Sequence, residues 1–108
     1  MPRRLGLPSE RAAYQGLLAV DASSEYAHFY LGQLELKAGH PDAARAHFAA
    51  GQRGAPTRVR CYLAEAAVLA STGQRAEAIA ALERGLAQVP GDPELTGRLA
   101  ALRGSGGD

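Results

Sequence analysis

The chain repeats itself at an interval of 34 residues, and this period constrains its fold more than any other feature. Residues 25–58 carry Leu31-Gly32, Gly39, Ala44, Phe48, Gly51 and Pro56. Adding 34 to each number gives Glu65-Ala66, Gly73, Ala78, Leu82, Gly85 and Pro90. The Gly after a first helix, the small residue in a second, the Gly behind it and the closing Pro all recur together. A period of this length signals a stack of helical hairpins, in which each hairpin buries its apolar face against the next.

The local pattern agrees with six helices. Ser9 is placed to cap a first helix that starts at Glu10 and runs to about Val20. Asp21–Ser24 reads as a turn. Ala27, Tyr30, Leu31, Leu34 and Ala38 recur at intervals of three and four, which predicts a second helix over about 24–38. Gly39 suits the left-handed residue behind a helix, and Pro41 suits the first position of a third helix ending near Arg53. His40 stands as the residue before that start, and Asp42 favours its N-terminal dipole. Thr57 is expected to cap a fourth helix over about 58–72. A fifth covers about 75–88. Asp92 then caps a sixth, with Pro93 at its first position, running to about Leu102. Connections of two to five residues force neighbouring helices antiparallel. The expectation is an all-α, antiparallel α-hairpin solenoid. It comprises a half repeat at 9–22, whole repeats at 25–58 and 59–92, a capping helix at 93–103 and a flexible tail at 104–108.

A chain of 108 residues is one domain, and with 46% hydrophobic and 21% charged residues it is globular rather than disordered. Aromatic residues are scarce, so small side chains must make the helix contacts and the core is spread thinly along the molecule. The net charge of +1 gives no strong field for nucleic acid or membrane, and neither is expected as a partner. No apolar run approaches the ~20 residues that span a bilayer. A single cysteine, Cys61, forms no internal disulfide and suits a reducing compartment. Residues 1–10 lack the apolar stretch of a signal peptide, so a cytoplasmic location is the expectation unless the chain is a domain of a longer protein.

These positions resemble the tetratricopeptide repeat family. Tyr14 matches the aromatic of a second helix, Leu31-Gly32 matches the Leu-Gly of a first helix, and Pro56 and Pro90 match the closing proline. The resemblance covers about residues 10–103 and implies a right-handed superhelix. Several positions depart from the family pattern. His28 stands in the Trp slot and Tyr62 in the same slot one repeat later. Glu35 occupies an aromatic slot, Glu65 a Leu slot, Ala66 a Gly slot and Ala22 a Pro slot. Gln52 and Gly54 lie where leucines usually end the second helix. An unpaired buried carboxylate costs several kcal/mol, on the order of the desolvation penalty, so Glu35 and Glu65 must be tilted to the surface or paired.

No residue pattern points to catalysis. His28 and His47 lie on consecutive antiparallel helices and are able to approach one another, but neither has a Cys or carboxylate at ligand spacing, so no metal is expected. His28 reads as a packed imidazole with its polar edge satisfied. Arg58 and Arg60 flank Cys61 and would favour its thiolate, but no His completes a catalytic pair, so Cys61 reads as a small packing residue. There is no nucleophile elbow or phosphate-binding glycine loop. The arginines lack the aromatic interleaving of a nucleic-acid surface. The expectation is a non-enzyme without a cofactor.

The resemblance implies a concave groove lined by the first helix of each repeat, holding a peptide or helix of another protein. Helical geometry places Tyr26, Phe29, Tyr30, Gln33 and Lys37 inward from the first repeat. Arg60, Leu63, Ala64, Ala67 and Ser71 follow from the second, and Glu94, Gly97 and Arg98 from the last helix. Tyr26, Phe29 and Tyr30 form either an aromatic docking surface or inter-repeat packing. Lys37, Arg60 and Arg98 add positive charge, which points to a ligand with apolar anchors and some acidic character. Family members that grip a C-terminal carboxylate use Lys and Asn where Phe29, Gln33 and Ala64 stand, so that clamp is not implied. Tyr14, Leu17 and Leu18 lack a preceding helix. Leu5 and Leu7, a preceding part of a longer protein or a second copy would cover them, and the last makes a homo-oligomer the alternative function.

Overall fold

The computed structural model describes residues 9–105 as six α-helices: α1 (Glu10–Val20), α2 (Glu25–Lys37), α3 (Pro41–Gly54), α4 (Arg60–Ser71), α5 (Arg75–Gln88) and α6 (Pro93–Ser105). Each packs antiparallel on its neighbour, and α2, α4 and α6 also touch in sequence along one side. The body is elongated, 57 × 27 × 19 Å. The expected arm at 1–8, with Leu5 and Leu7, and the last three residues of the expected tail lie outside the described residues.

Local chemistry fixes the helix ends. The Ser9 and Ser24 hydroxyls each accept the backbone N–H three residues ahead at 3.1 Å, and Asp92 Oδ2 accepts Leu95 N–H at 3.0 Å. After α2, Gly39 sits at φ 84° while His40 N–H bonds Glu35 C=O and Gly39 N–H bonds Leu36 C=O. Gly73 (φ 80°) closes α4 in the same way, with Gln74 N–H on Leu69 C=O. These are paired C-terminal closures that only a left-handed residue permits.

Two ends differ from expectation. Thr57 does not cap α4: Arg58 N–H donates to Ala55 C=O, so Pro56 and Thr57 are spent in a turn and the helix begins at Arg60 without a side-chain cap. His40 is the residue before α3, as expected, its C=O accepting Ala44 N–H while its ring reaches back to Glu35. The last helix passes Leu102 and includes Gly104 and Ser105, which the tail was expected to hold.

The core forms two clusters. Ala44, Phe48, Cys61 and Val68 join α3 to α4. Tyr62, Ala66, Leu69, Ala78, Ala81, Leu82, Leu95 and Leu99 join α4, α5 and α6. Small residues make the approach possible. A Cβ on Gly32 would meet the Phe48 ring at 2.5 Å, and one on Gly51 would meet Cys61 Sγ at 2.5 Å. Gly32 and Gly51 are therefore contact points between successive helices.

The polar and charged departures from the family pattern find partners, some of them buried. Glu65, 6% exposed, accepts from Gln52 at 2.7 Å and from Arg84 at 2.8 Å. Gln52 also donates to Cys61 C=O at 3.3 Å. The Gln in a leucine slot thus serves the Glu in another leucine slot, each accounting for the other. Glu35 is held by Arg11 at 2.9 Å and His40 at 3.0 Å, which keep its carboxyl below the usual range. His28 is buried with Nε2 2.9 Å from Ala22 C=O and Nδ1 3.0 Å from His47 Nδ1.

Candidate functional site

The side lined by α2, α4 and α6 carries three depressions in a row. The first, about 320 Å³, lies between α1 and α2 and is lined by Glu10, Tyr14, Tyr30, Gln33, Leu34 and Lys37. The second, about 230 Å³, is lined by Phe29, Gln33, Arg60, Leu63, Ala64, Ala67 and Arg98. The third, about 120 Å³, is floored by Ala66 and Leu82 and walled by Ala67, Ala70, Arg98, Ala101 and Leu102. Gln33 borders the first two, and Ala67 and Arg98 border the last two, so the depressions form one continuous groove.

Seven of the inward residues read from the sequence therefore meet in the central depression, with Tyr30 and Lys37 in the one beside it. Tyr26 lines neither. It is 51% exposed at the groove's edge and faces a polar hollow of about 310 Å³ with Asp21, Ser23, Ser24, Glu25, Gly54, Ala55, Arg58 and Arg60. Tyr14 joins the groove rather than the open flank of α1. Its ring stacks on Tyr30 with centroids 5.4 Å apart and meets Tyr26 edge-on at 6.0 Å. Leu18 is half-buried, while Leu17 is 42% exposed and Val20 88% exposed.

The aromatic residues are built into the stack. Phe29 meets Tyr30 at 5.1 Å and Phe48 at 6.0 Å. The Arg60 guanidinium lies over Phe29 at 4.4 Å and Tyr30 at 5.4 Å, within cation–π range. Glu25, which the sequence reading passed over, holds Arg60 by a fork at 2.8 and 2.9 Å. Arg60 keeps the Glu25 carboxyl low, and Glu25 raises the guanidinium's pKa. Arg60 therefore offers the groove a planar, charge-compensated surface rather than a free cation. The signal for Glu25 was available: it opens α2 as Arg60 opens α4, one helix step apart across the stack.

Cys61 is fully buried between Gly51 and Glu25, with Sγ 3.6 Å from a Glu25 oxygen. Burial, reinforced by that carboxylate, pushes its thiol up to about 12, against the activation its flanking arginines implied. Among the described residues no group of three or more His, Cys, Asp or Glu is arranged to hold a metal ion, and no helix is long and apolar enough to cross a membrane.

Residues 59–102 match the family model described as tetratricopeptide repeat. The described chain has an all-α helical-repeat fold, and residues 59–102 carry the tetratricopeptide-repeat sequence. No curated protein matches the chain. Among solved structures, it is similar to the Yersinia enterocolitica type III secretion chaperone SycD in complex with a peptide of the translocator YopD. That match has a TM-score of 0.72, 21% identity, and covers 86% of this chain and 76% of that one. A second SycD structure gives a TM-score of 0.71 at 21% identity, covering 86% of this chain and 69% of the other. MamA gives 0.72 at 21% identity over 94% of this chain, which spans 57% of MamA's length. At this identity the likeness establishes the fold.

Proposed function

We propose that the chain is a protein–protein interaction module that holds a segment of a partner along the groove of α2, α4 and α6. The observation that carries this reading is the continuity of the three depressions across helices from successive repeats. Repeat stacks use such extended surfaces to bind. The SycD structure that contains a YopD peptide supports a protein segment as the type of ligand. Phe29, Leu63 and Ala67 supply apolar contact, Tyr30 and Gln33 supply polar edges, and Lys37 and Arg98 supply charge. Arg60 stiffens the floor. An Ala67→Glu change should abolish partner binding while leaving the helical spectrum unchanged, because Ala67 is exposed in the groove and outside both core clusters. Retained binding would refute the groove.

A second reading is self-association through α1. Leu17 and Val20 are exposed, and α1 alone among helices α1–α5 has no buried residue. Light scattering on the native chain and on Leu17→Asp decides it. An oligomer that dissociates in the variant supports the reading, and a single chain per particle in both ends it.

A further inference from the structure

We infer that the segment bound in this groove is acidic and apolar in alternation: a leucine- or methionine-sized side chain enters the α4–α6 pocket, and an adjacent Asp or Glu meets Arg98 at its mouth. The inference rests on the groove reading above and names the chemistry of its ligand.

The charge pattern is the first ground. Arg11, Arg60, Arg84 and Arg103 each hold a glutamate, Arg45 lies 4.0 Å from Asp42, and Arg75 donates to the carbonyls of Leu102 and Arg103. Arg98 is exposed and has no ion-pair partner among the described residues, Glu94 one turn before it included. At the other end of the groove Lys37 shares its depression with Glu10, which offsets its charge. The groove's uncompensated charge is therefore concentrated at Arg98, between the central depression and the apolar pocket.

The pocket is the second ground. Apart from Arg98, every side chain that lines it is Ala or Leu. Its volume of about 120 Å³ is well below the ~300 Å³ at which small-molecule sites begin, and fits one side chain. A polar side chain entering it would lose its water without gaining a partner. An apolar side chain gains burial, and a carboxylate beside it gains a charge-assisted bond to a fork of donors. A basic residue in the same place would face Arg98 unscreened.

Selection from a phage-displayed library of random peptides on the immobilised full chain tests this. The expected consensus pairs Leu, Ile or Met with an adjoining Asp or Glu. In Arg98→Glu the acidic preference should turn to Lys or Arg, with the melting curve kept, since Arg98 is exposed and makes no ion pair among the described residues. Ala70→Phe, which fills the pocket from an exposed position, should weaken the selected peptide by about tenfold or more, a difference of about 1.4 kcal/mol. Enriched peptides with no acidic preference, or a preference unmoved by Arg98→Glu, overturn the inference and leave the groove reading standing. Failure to enrich any peptide overturns both.

Discussion

Gly54 closes α3 with the position of its missing Cβ 1.8 Å from the Ser23 carbonyl oxygen. A backbone atom cannot swing aside, so Gly54→Ala should destabilise the fold by about 1–3 kcal/mol in urea unfolding, the usual cost of overpacking. Gly97 has nothing within 4 Å, and Gly97→Ala should instead stabilise α6 by about 0.5–1 kcal/mol. The same comparison applies to the buried amide. Gln52→Leu restores the residue usual at its slot but takes a donor from Glu65, and should cost about 1–3 kcal/mol. Gln52→Leu with Glu65→Leu should recover most of that loss, because an apolar pair leaves no buried carboxylate to satisfy. The histidine pair sets a pH dependence. Ala22 C=O can only accept, so His28 donates from Nε2 and, when neutral, accepts at Nδ1 from His47. Burial and the neighbouring His28 lower the His47 pKa from its ordinary 6.5. The unfolded chain then binds more protons than the folded one, so stability is full above about pH 6.5 and falls as pH drops below it. Lowered carboxyls at Glu25 and Glu35 act in the same direction at lower pH, so the two windows are separable. Melting curves between about pH 7.5 and pH 5.5 should fall for the native chain and flatten for His47→Gln.

Among the elements, α1 is the weakest joint, and the 34-residue register explains why. It carries Glu10 where α3 and α5 hold the fully buried Ala44 and Ala78, and Leu17 where they hold the contact glycines Gly51 and Gly85. At these two contact positions it lacks the small residues that draw the later helices together. Hydrogen exchange should therefore be fastest in α1 and slowest in α4 and α5, whose side chains make the larger core cluster. Equal protection in α1 and α4 would contradict this. Element type and order were legible in the sequence because helix-ending Gly, first-turn Pro and the capping Ser9 and Asp92 act locally. Thr57 misled because Pro56 diverts the chain into a turn that a cap pattern does not register. The polar substitutions were legible only as a demand for partners. That Gln52 serves Glu65, and Glu25 serves Arg60, depends on which helices become neighbours in the stack.

At the scale of the molecule, the two ends differ. The face of α6 that would receive a further helix, found by adding 34 to Tyr62, Ala66 and Leu69, presents Thr96, Ala100 and Arg103, all exposed. The α1 end keeps exposed Leu17 and Val20. Between them the depressions run along α2, α4 and α6; helical spacing picked out Phe29, Gln33, Arg60, Leu63, Ala64, Ala67 and Arg98 of the central one, but not the division into depressions, and it wrongly counted Tyr26 among the lining residues. Tyr14 stacked on Tyr30 lines the first depression and Arg60 over Phe29 lines the second, contacts between helices that local sequence patterns do not reveal. In the proposed mode of binding a partner segment lies along α2, α4 and α6. The most direct measurement is amide chemical-shift mapping of the labelled chain titrated with a library-selected peptide. The predicted result is a contiguous set of shifts at Phe29, Gln33, Leu63, Ala67 and Arg98. Shifts confined to α3 and α5, or to the Leu17–Val20 end of α1, would contradict it.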